Sequence, residues 1–165
     1  MSQSTEAQDL IAELNMQPHP EGGFFAEVYR ANNTVESPIN NAQRASLTHI
    51  YFLLLEGQVS RFHQVAHDEV WNYYCGAPLN LYHIQNSKPL IETESCDIQT
   101  ITIGEAPNYT HIIPSYQWQA AETLGEFTLV GCSVAPGFDF EDFDFMRKDE
   151  HAWLEKHKKD WMRFI

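Results

Sequence analysis

Seven stretches of this chain alternate between apolar and polar residues with a period of two: FFAEVYR, LTHIYFLLL, VSRFHQV, EVWNYY, LNLYHIQ, IQTITI and EFTLVGCSV. Successive side chains of a strand point to opposite faces, so this period predicts half-buried strands. Turn signals separate them at Glu56-Gly57, Gly76-Ala77-Pro78, Ser87-Lys88-Pro89 and Gly104-Glu105-Ala106-Pro107. No helical period intervenes. Seven or more short strands in series therefore predict an all-β antiparallel sandwich or barrel.

Helical spacing occurs only at the two ends. Ala7, Leu10, Ile11 and Leu14 predict a short N-terminal helix, with Thr5 and Gln8 matching a capping box. Trp153, Leu154, His157 and Trp161 fall on one stripe of a basic C-terminal helix, about 149–163, packed on the outside of the barrel or on a partner chain. At 165 residues the chain fits one domain over 1–165, with a core of about 20–146.

The formal net charge of −13 argues against nucleic acid as a partner, because phosphates need a basic face. Six of the ten basic residues lie in the last nineteen positions, so an anionic ligand in the body would depend on Arg30, Arg44 or Arg61. Three cysteines without metal-like spacing read as reduced thiols. The stretch MSQSTEAQDL has neither a basic nor an apolar leader region, and no run of about 18 apolar residues is present. The expectation is a cytoplasmic protein with no membrane partner.

Between two glycines lies GQVSRFHQVAHDEVWNYYCG, Gly57 to Gly76. On the first strand of this segment Arg61, His63 and Val65 share a face; on the second, Glu69, Trp71 and Tyr73 do, with His67 and Asp68 at the turn between. If both faces point inward, His63 and Glu69 converge beside an aromatic wall, a usual composition for a small-molecule site. A bulge would reverse the facing of Arg61. Arg30, at the end of a core-like face, reads as a rim residue or a ligand contact, and Glu27 falls on the opposite face by strict alternation. PHPEGG, Pro18 to Gly23, reads as a glycine-rich connection, with His19 and Glu21 as alternative pocket-mouth residues. The four phenylalanines of APGFDFEDFDF read as a segment wrapped onto the sheet. Cys132, alternating with Val130 and Val134, reads as packing rather than a nucleophile.

The spacing Gly57-x5-His63-x-Val65-x3-Glu69-x6-Gly76 resembles the first cupin motif, with Val65 where a second histidine would stand. IPSYQWQAA resembles the second motif, with Tyr116 at its glycine position and Gln119 at its histidine. MQPHPEGGFFAEVYR, IYFLL, DEVWNYYCG and VAPGFDFEDF together resemble small cupin-superfamily proteins grouped with sugar-nucleotide-epimerase-like (RmlC-like) cupins. The resemblance covers about residues 14–145 and implies a cupin-type double-stranded β-helix, or jelly-roll barrel, that forms a homodimer. If Gln119 points inward, Trp118 points out, toward a dimer contact.

For function the resemblance implies a small polar, carbohydrate-like ligand inside the barrel, with epimerase- or isomerase-type proton transfer. His63, Glu69 and Tyr73 would be the catalytic residues: His63 the base, made more basic by the nearby carboxylate, and Tyr73 or Tyr51 the acid. Arg30, Tyr51, Arg61, Trp71 and Gln119 would bind ligand. Two other classes stay open: a metal-dependent cupin enzyme such as a dioxygenase, and a non-catalytic ligand-binding cupin. Metal-binding members use three histidines and a glutamate. Here His63, Glu69 and Gln119 stand at those positions, and a carboxamide is a poor substitute for imidazole, so a divalent metal would be held weakly unless His49, His83 or His111 also points inward, and no cofactor is expected.

Overall fold

The computed structural model describes residues 5–85 and 88–165, so the turn predicted at Ser87 lies outside the described residues. Helix α1 (Thr5–Glu13) leads into β1 (Gln17–Pro18), β2 (Phe24–Arg30), β3 (Thr34–Glu36), β4 (Gln43–Ala45), β5 (Thr48–Leu55), β6 (Val59–Val65), β7 (Asp68–Gly76) and β8 (Leu79–Ile84). Then follow β9 (Ile98–Ile103), β10 (Thr110–Ile113), β11 (Trp118–Thr123), β12 (Phe127–Ala135), β13 (Phe143–Phe145) and helix α2 (Lys148–His157). One sheet has the order β1-β2-β5-β12-β7-β10 and faces a second of order β13-β6-β11-β8-β9, while β3 and β4 form a separate hairpin. The sandwich predicted from the period of two is the observed fold.

Both sheets are covered on both faces. Between them pack Phe52, Leu54, Trp71, Leu79, Leu81, Ile103, Ile113 and Val130. Behind the first sheet Ala7 of α1 joins Leu53, Leu55, Phe127 and Leu129. Behind the second, Trp153, Leu154 and Phe164 cover Phe62, Tyr82, Ile84 and Trp118. Burying each large apolar side chain stabilises by roughly 1.5–3 kcal/mol. The tail is therefore part of the core. Trp118 points out as expected, but its own chain covers it rather than a dimer contact. The C-terminal helix also ends earlier than predicted. Lys158 leaves helical backbone at φ −146°, and Lys159–Phe164 continues as a 3₁₀ segment.

Among the described residues three bulges interrupt the ladders, each placing an extra residue on one strand. On β2 the register shifts between Glu27 and Tyr29. On β6, Ser60 pairs with Ala121 and His63 with Gln119, three residues against two. On β7 the shift falls beside Tyr74, between the Tyr73 and Cys75 pairings with β12. The first two rearrange the site.

Tyr116, at the motif's glycine position, adopts a left-handed backbone (φ 56°) in the turn between β10 and β11, and its N–H donates to Val65 O at 2.8 Å. That conformation costs a non-glycine residue about 1–2 kcal/mol, against the roughly 0.5–1 kcal/mol of chain entropy that glycine adds to the unfolded state. The Tyr116 side chain is 45% exposed and forgoes little packing if removed. Tyr116→Gly should therefore raise stability by up to about 1 kcal/mol in urea denaturation. A loss of that size would show that the phenol ring contributes more than its backbone costs.

Candidate functional site

Pro18 to Gly23 folds under one end of the barrel. Gly22 and Gly23 take positive φ (115° and 72°), and a Cβ on either would fall 2.1 Å from Val59 O or 2.6 Å from Leu53 O. Only glycine allows this approach to the sheets. It carries Glu21 into the interior, where Oε1 accepts a hydrogen bond from Ser60 Oγ at 2.8 Å. The bulge in β6 turns Ser60 and His63 to the same inner face, although they are three residues apart. Above them opens a cavity of about 150 Å³, lined by His19, Glu21, His63, Glu69, Cys132 and the aromatic faces of Phe25, Phe52, Trp71 and Phe143.

The proton positions follow from the hydrogen bonds. His63 Nδ1 lies 2.7 Å from Arg61 O, and a carbonyl only accepts, so Nδ1 carries the proton. Nε2 then presents a lone pair to Glu21 Oε2 at 3.2 Å. His19 Nδ1 accepts the Glu21 N–H at 3.2 Å and lies 3.5 Å from the same Oε2. Two acceptors cannot face each other without a proton between them. Burial supplies the preference: it raises the Glu21 carboxyl above its ordinary range and lowers His63 and His19 below theirs. Glu21 and His63 thus share one proton, and burial shifts it toward Glu21.

Across the cavity, Gln119 donates from Nε2 to Glu69 Oε2 at 2.5 Å and accepts at Oε1 from Trp71 Nε1 at 2.8 Å. This chain orients Glu69, whose carboxyl burial pushes up to about 7. The Cys132 thiol hydrogen-bonds to Glu69 and is itself pushed up by burial, so it is no thiolate nucleophile. Neutral pH therefore finds Glu69 near half ionisation, while burial also favours the protonated form of Glu21.

The mouth is built by the β2 bulge and by the segment after β12. With Val28 as the extra residue, Glu27 and Arg30 both reach the cavity, which strict alternation forbids. They pair through Arg30 Nε to Glu27 Oε1 (3.1 Å) and Nη2 to Oε2 (2.8 Å), and Nη1 donates to Phe138 O at 3.1 Å. Phe138, Phe140 and Phe143 meet edge to face with centroids 5.0–6.2 Å apart, and Phe143 stacks on His63 at 5.2 Å. The wrapping segment read from the sequence is thus also a cavity wall.

Asp142 holds that wall. It accepts from Arg44 Nε at 2.8 Å and Nη2 at 3.0 Å and from Asn40 Nδ2 at 2.8 Å. His67 lies behind it, with Nε2 2.7 Å from Ser37 Oγ and Nδ1 3.7 Å from Asp142 Oδ2. These are the residue types of a hydrolase triad, but Ser37 is 0% exposed and its Oγ accepts from the Ile39 and Asn40 N–H groups. The cluster anchors a turn and has no access to substrate.

Of the residues named from the sequence, His63, Glu69, Trp71 and Arg30 line the cavity, and Gln119 lies directly behind Glu69. Tyr73, Tyr51 and Arg61 do not. Tyr73 shares the inner face but lies four residues, roughly 13 Å, along β7 from Glu69. There it packs on Tyr109 and donates to Gly76 O. Tyr51 faces outward against His49 and Tyr74. The bulge turns Arg61 to the rim, where it donates to Pro20 O and covers the Phe145 ring. The residue the sequence left open, Glu21, is central, and its only signal was a pair of titratable residues held between prolines and glycines.

The expected metal donors do not assemble. Both polar ends of the Gln119 amide are occupied, Val65 lines the cavity where a second histidine would ligate, and His63 Nε2 faces Glu21. Among the described residues no group of three His, Cys, Asp or Glu side chains is placed to hold a metal ion. No helix among them is long and apolar enough to cross a membrane.

A hypothetical protein from Leishmania major superposes with a TM-score of 0.79 at 26% identity, covering 96% of each chain. A protein of Shewanella oneidensis gives 0.76 at 28%, covering 99% of this chain and 94% of that one. Oxalate decarboxylase from Bacillus subtilis shares the fold alone, at 18% identity and a TM-score of 0.55, and this chain spans about a third of its length (34%). No curated protein matches the sequence. Residues 8–146 match the family model Cupin_5, described as cupin superfamily (DUF985), and with the double-stranded barrel and its inward His63 and Glu69 this places the chain in the Cupin_5 family of the cupin superfamily.

Proposed function

We propose that the cavity binds a small polar, carbohydrate-like ligand and moves a proton on it, as an epimerase or isomerase does. One observation carries the reading: His63 Nε2 lies 3.2 Å from Glu21 Oε2 in the same cavity as Glu69, whose carboxyl burial pushes up to about 7. A carboxyl poised near pH 7 in one cavity with a carboxyl–histidine pair that shares a proton provides a base and an acid at one pH. Glu69 as carboxylate takes a proton from a carbon beside a carbonyl, and the Glu21–His63 pair returns one to the same or an adjacent carbon. The reverse direction uses the same groups. In this reading Glu69 and Glu21 take the base's and the acid's roles that the resemblance assigned to His63 and to Tyr73 or Tyr51. The cavity of about 150 Å³ suits one six-membered ring, since a void of that size holds benzene.

The test begins with native mass spectrometry of whatever the purified protein retains. That compound, incubated with the protein in D₂O, should gain deuterium at a carbon-bound position, and His63→Ala should slow the gain at least about a hundredfold. A compound held in the cavity without exchange would leave binding and remove catalysis.

A further inference from the structure

The charge and chemistry of the walls narrow the ligand further, taking as given that the cavity binds a small molecule. Four carboxyl groups line it: Glu21 and Glu69 inside, Glu27 and Asp139 at the mouth. Against them stands a single permanently cationic side chain, Arg30, and its guanidinium is already committed to both oxygens of Glu27 and to Phe138 O. An anion entering here must break that pair to gain a partner. The histidines offer no substitute, because burial keeps His19 and His63 neutral.

A cation meets the opposite situation. Phe25, Phe52, Trp71, Phe138, Phe140 and Phe143 turn aromatic surface to the cavity, and the negative faces of such rings attract ammonium groups. Glu21 and Glu69 can each release a proton and pair with an ammonium. Facing a carboxylate they must stay protonated. The body of the chain, with four basic residues against nineteen acidic ones, also steers cations inward and repels anions.

We infer that the natural ligand carries a positive charge: it is an organic ammonium compound about one ring in size, held by aromatic faces and by Glu21 and Glu69. An amino-bearing carbohydrate satisfies both this assignment and the function proposed above.

Three probes of one shape isolate the charge: cyclohexylammonium, cyclohexanol and cyclohexanecarboxylate. An alkylammonium, like lysine, stays charged to about pH 10, so at pH 7.5 the three probes are a cation, a neutral alcohol and an anion. Calorimetric titration of the intact protein should give cyclohexylammonium at least about tenfold tighter binding than the alcohol and still weaker binding of the carboxylate. Phe140 is 53% exposed, so Phe140→Leu keeps the fold and an apolar contact while removing a ring face. It should weaken the ammonium severalfold and leave the alcohol nearly unchanged. Glu69→Gln should erase most of the ammonium preference. If the alcohol or the carboxylate binds as tightly as the ammonium, the charge assignment falls and the cavity as a binding site stands. If none of the three binds, both fall.

Discussion

Replacing Asp142 with alanine is expected to cost about 3–5 kcal/mol of folding stability, the range for removing one partner of a buried ion pair. Its carboxylate is buried, with three hydrogen bonds from Arg44 and Asn40, and the Arg44 guanidinium holds it below the ordinary aspartate range. The variant leaves the Arg44 charge, whose side chain is 11% exposed, without its closest partner. Glu141 still reaches Arg44 Nη2 at 3.1 Å, but from the solvent side, where an ion pair contributes little. Urea denaturation measures the loss. The double variant Arg44→Met with Asp142→Leu should recover most of it, because two apolar side chains leave no charge stranded. A loss below 1 kcal/mol for Asp142→Ala would mean that solvent replaces the bond freely and that the Phe138–Phe143 wall is not anchored there.

The second large effect is a pH dependence. Glu69 is raised from 4.5 in the unfolded chain to about 7 in the folded protein, with burial as the main cause. Below about pH 4.5 both states hold the proton, and this group's contribution to stability is fully present. As pH rises from there toward 7, the unfolded chain has released the proton and the folded protein has not, so stability falls. The total change is about 3 kcal/mol. Glu69→Gln lacks this term, so the stability of the wild type relative to the variant should decline by about that amount between pH 4.5 and 8. The lowered histidines work in the other direction, losing stability as pH falls, but they are present in both proteins and largely cancel. A difference between the two proteins that stays flat over this window would place Glu69 in an ordinary, solvated setting.

The sequence carried the fold further than the site. FFAEVYR became β2 without a shifted boundary, because its flanking turn residues and its alternation agree. The period of two read in LTHIYFLLL does not extend through its last six residues, Ile50 to Leu55, which are all apolar or aromatic because α1 covers one face and the core the other, so nothing there could show that Tyr51 points out. Alternation assigns a face but not a height along the barrel, which is why Tyr73 was grouped with Glu69 although it lies at the far end. Bulges are the other gap. One extra residue on β6 moved Arg61 out and brought Ser60 in, and one on β2 put Glu27 beside Arg30. Glu21 was hidden for a different reason: its place in the site comes from the loop's approach to Val59 and Leu53, a tertiary fact that two adjacent glycines permit but do not state.

The central claim is that one end of this barrel holds a proton-sharing Glu21–His63 pair opposite a carboxyl tuned to neutrality. Nuclear magnetic resonance titration of protein labelled in the glutamate carboxyl carbons and histidine ring nitrogens tests it most directly. The expected spectrum shows His63 with its proton on Nδ1, Glu21 titrating above the ordinary glutamate range, and Glu69 titrating near pH 7. Glu21 and Glu69 both titrating near pH 4.5, with His63 charging at 6.5, would contradict the acid–base site and leave only a polar cavity.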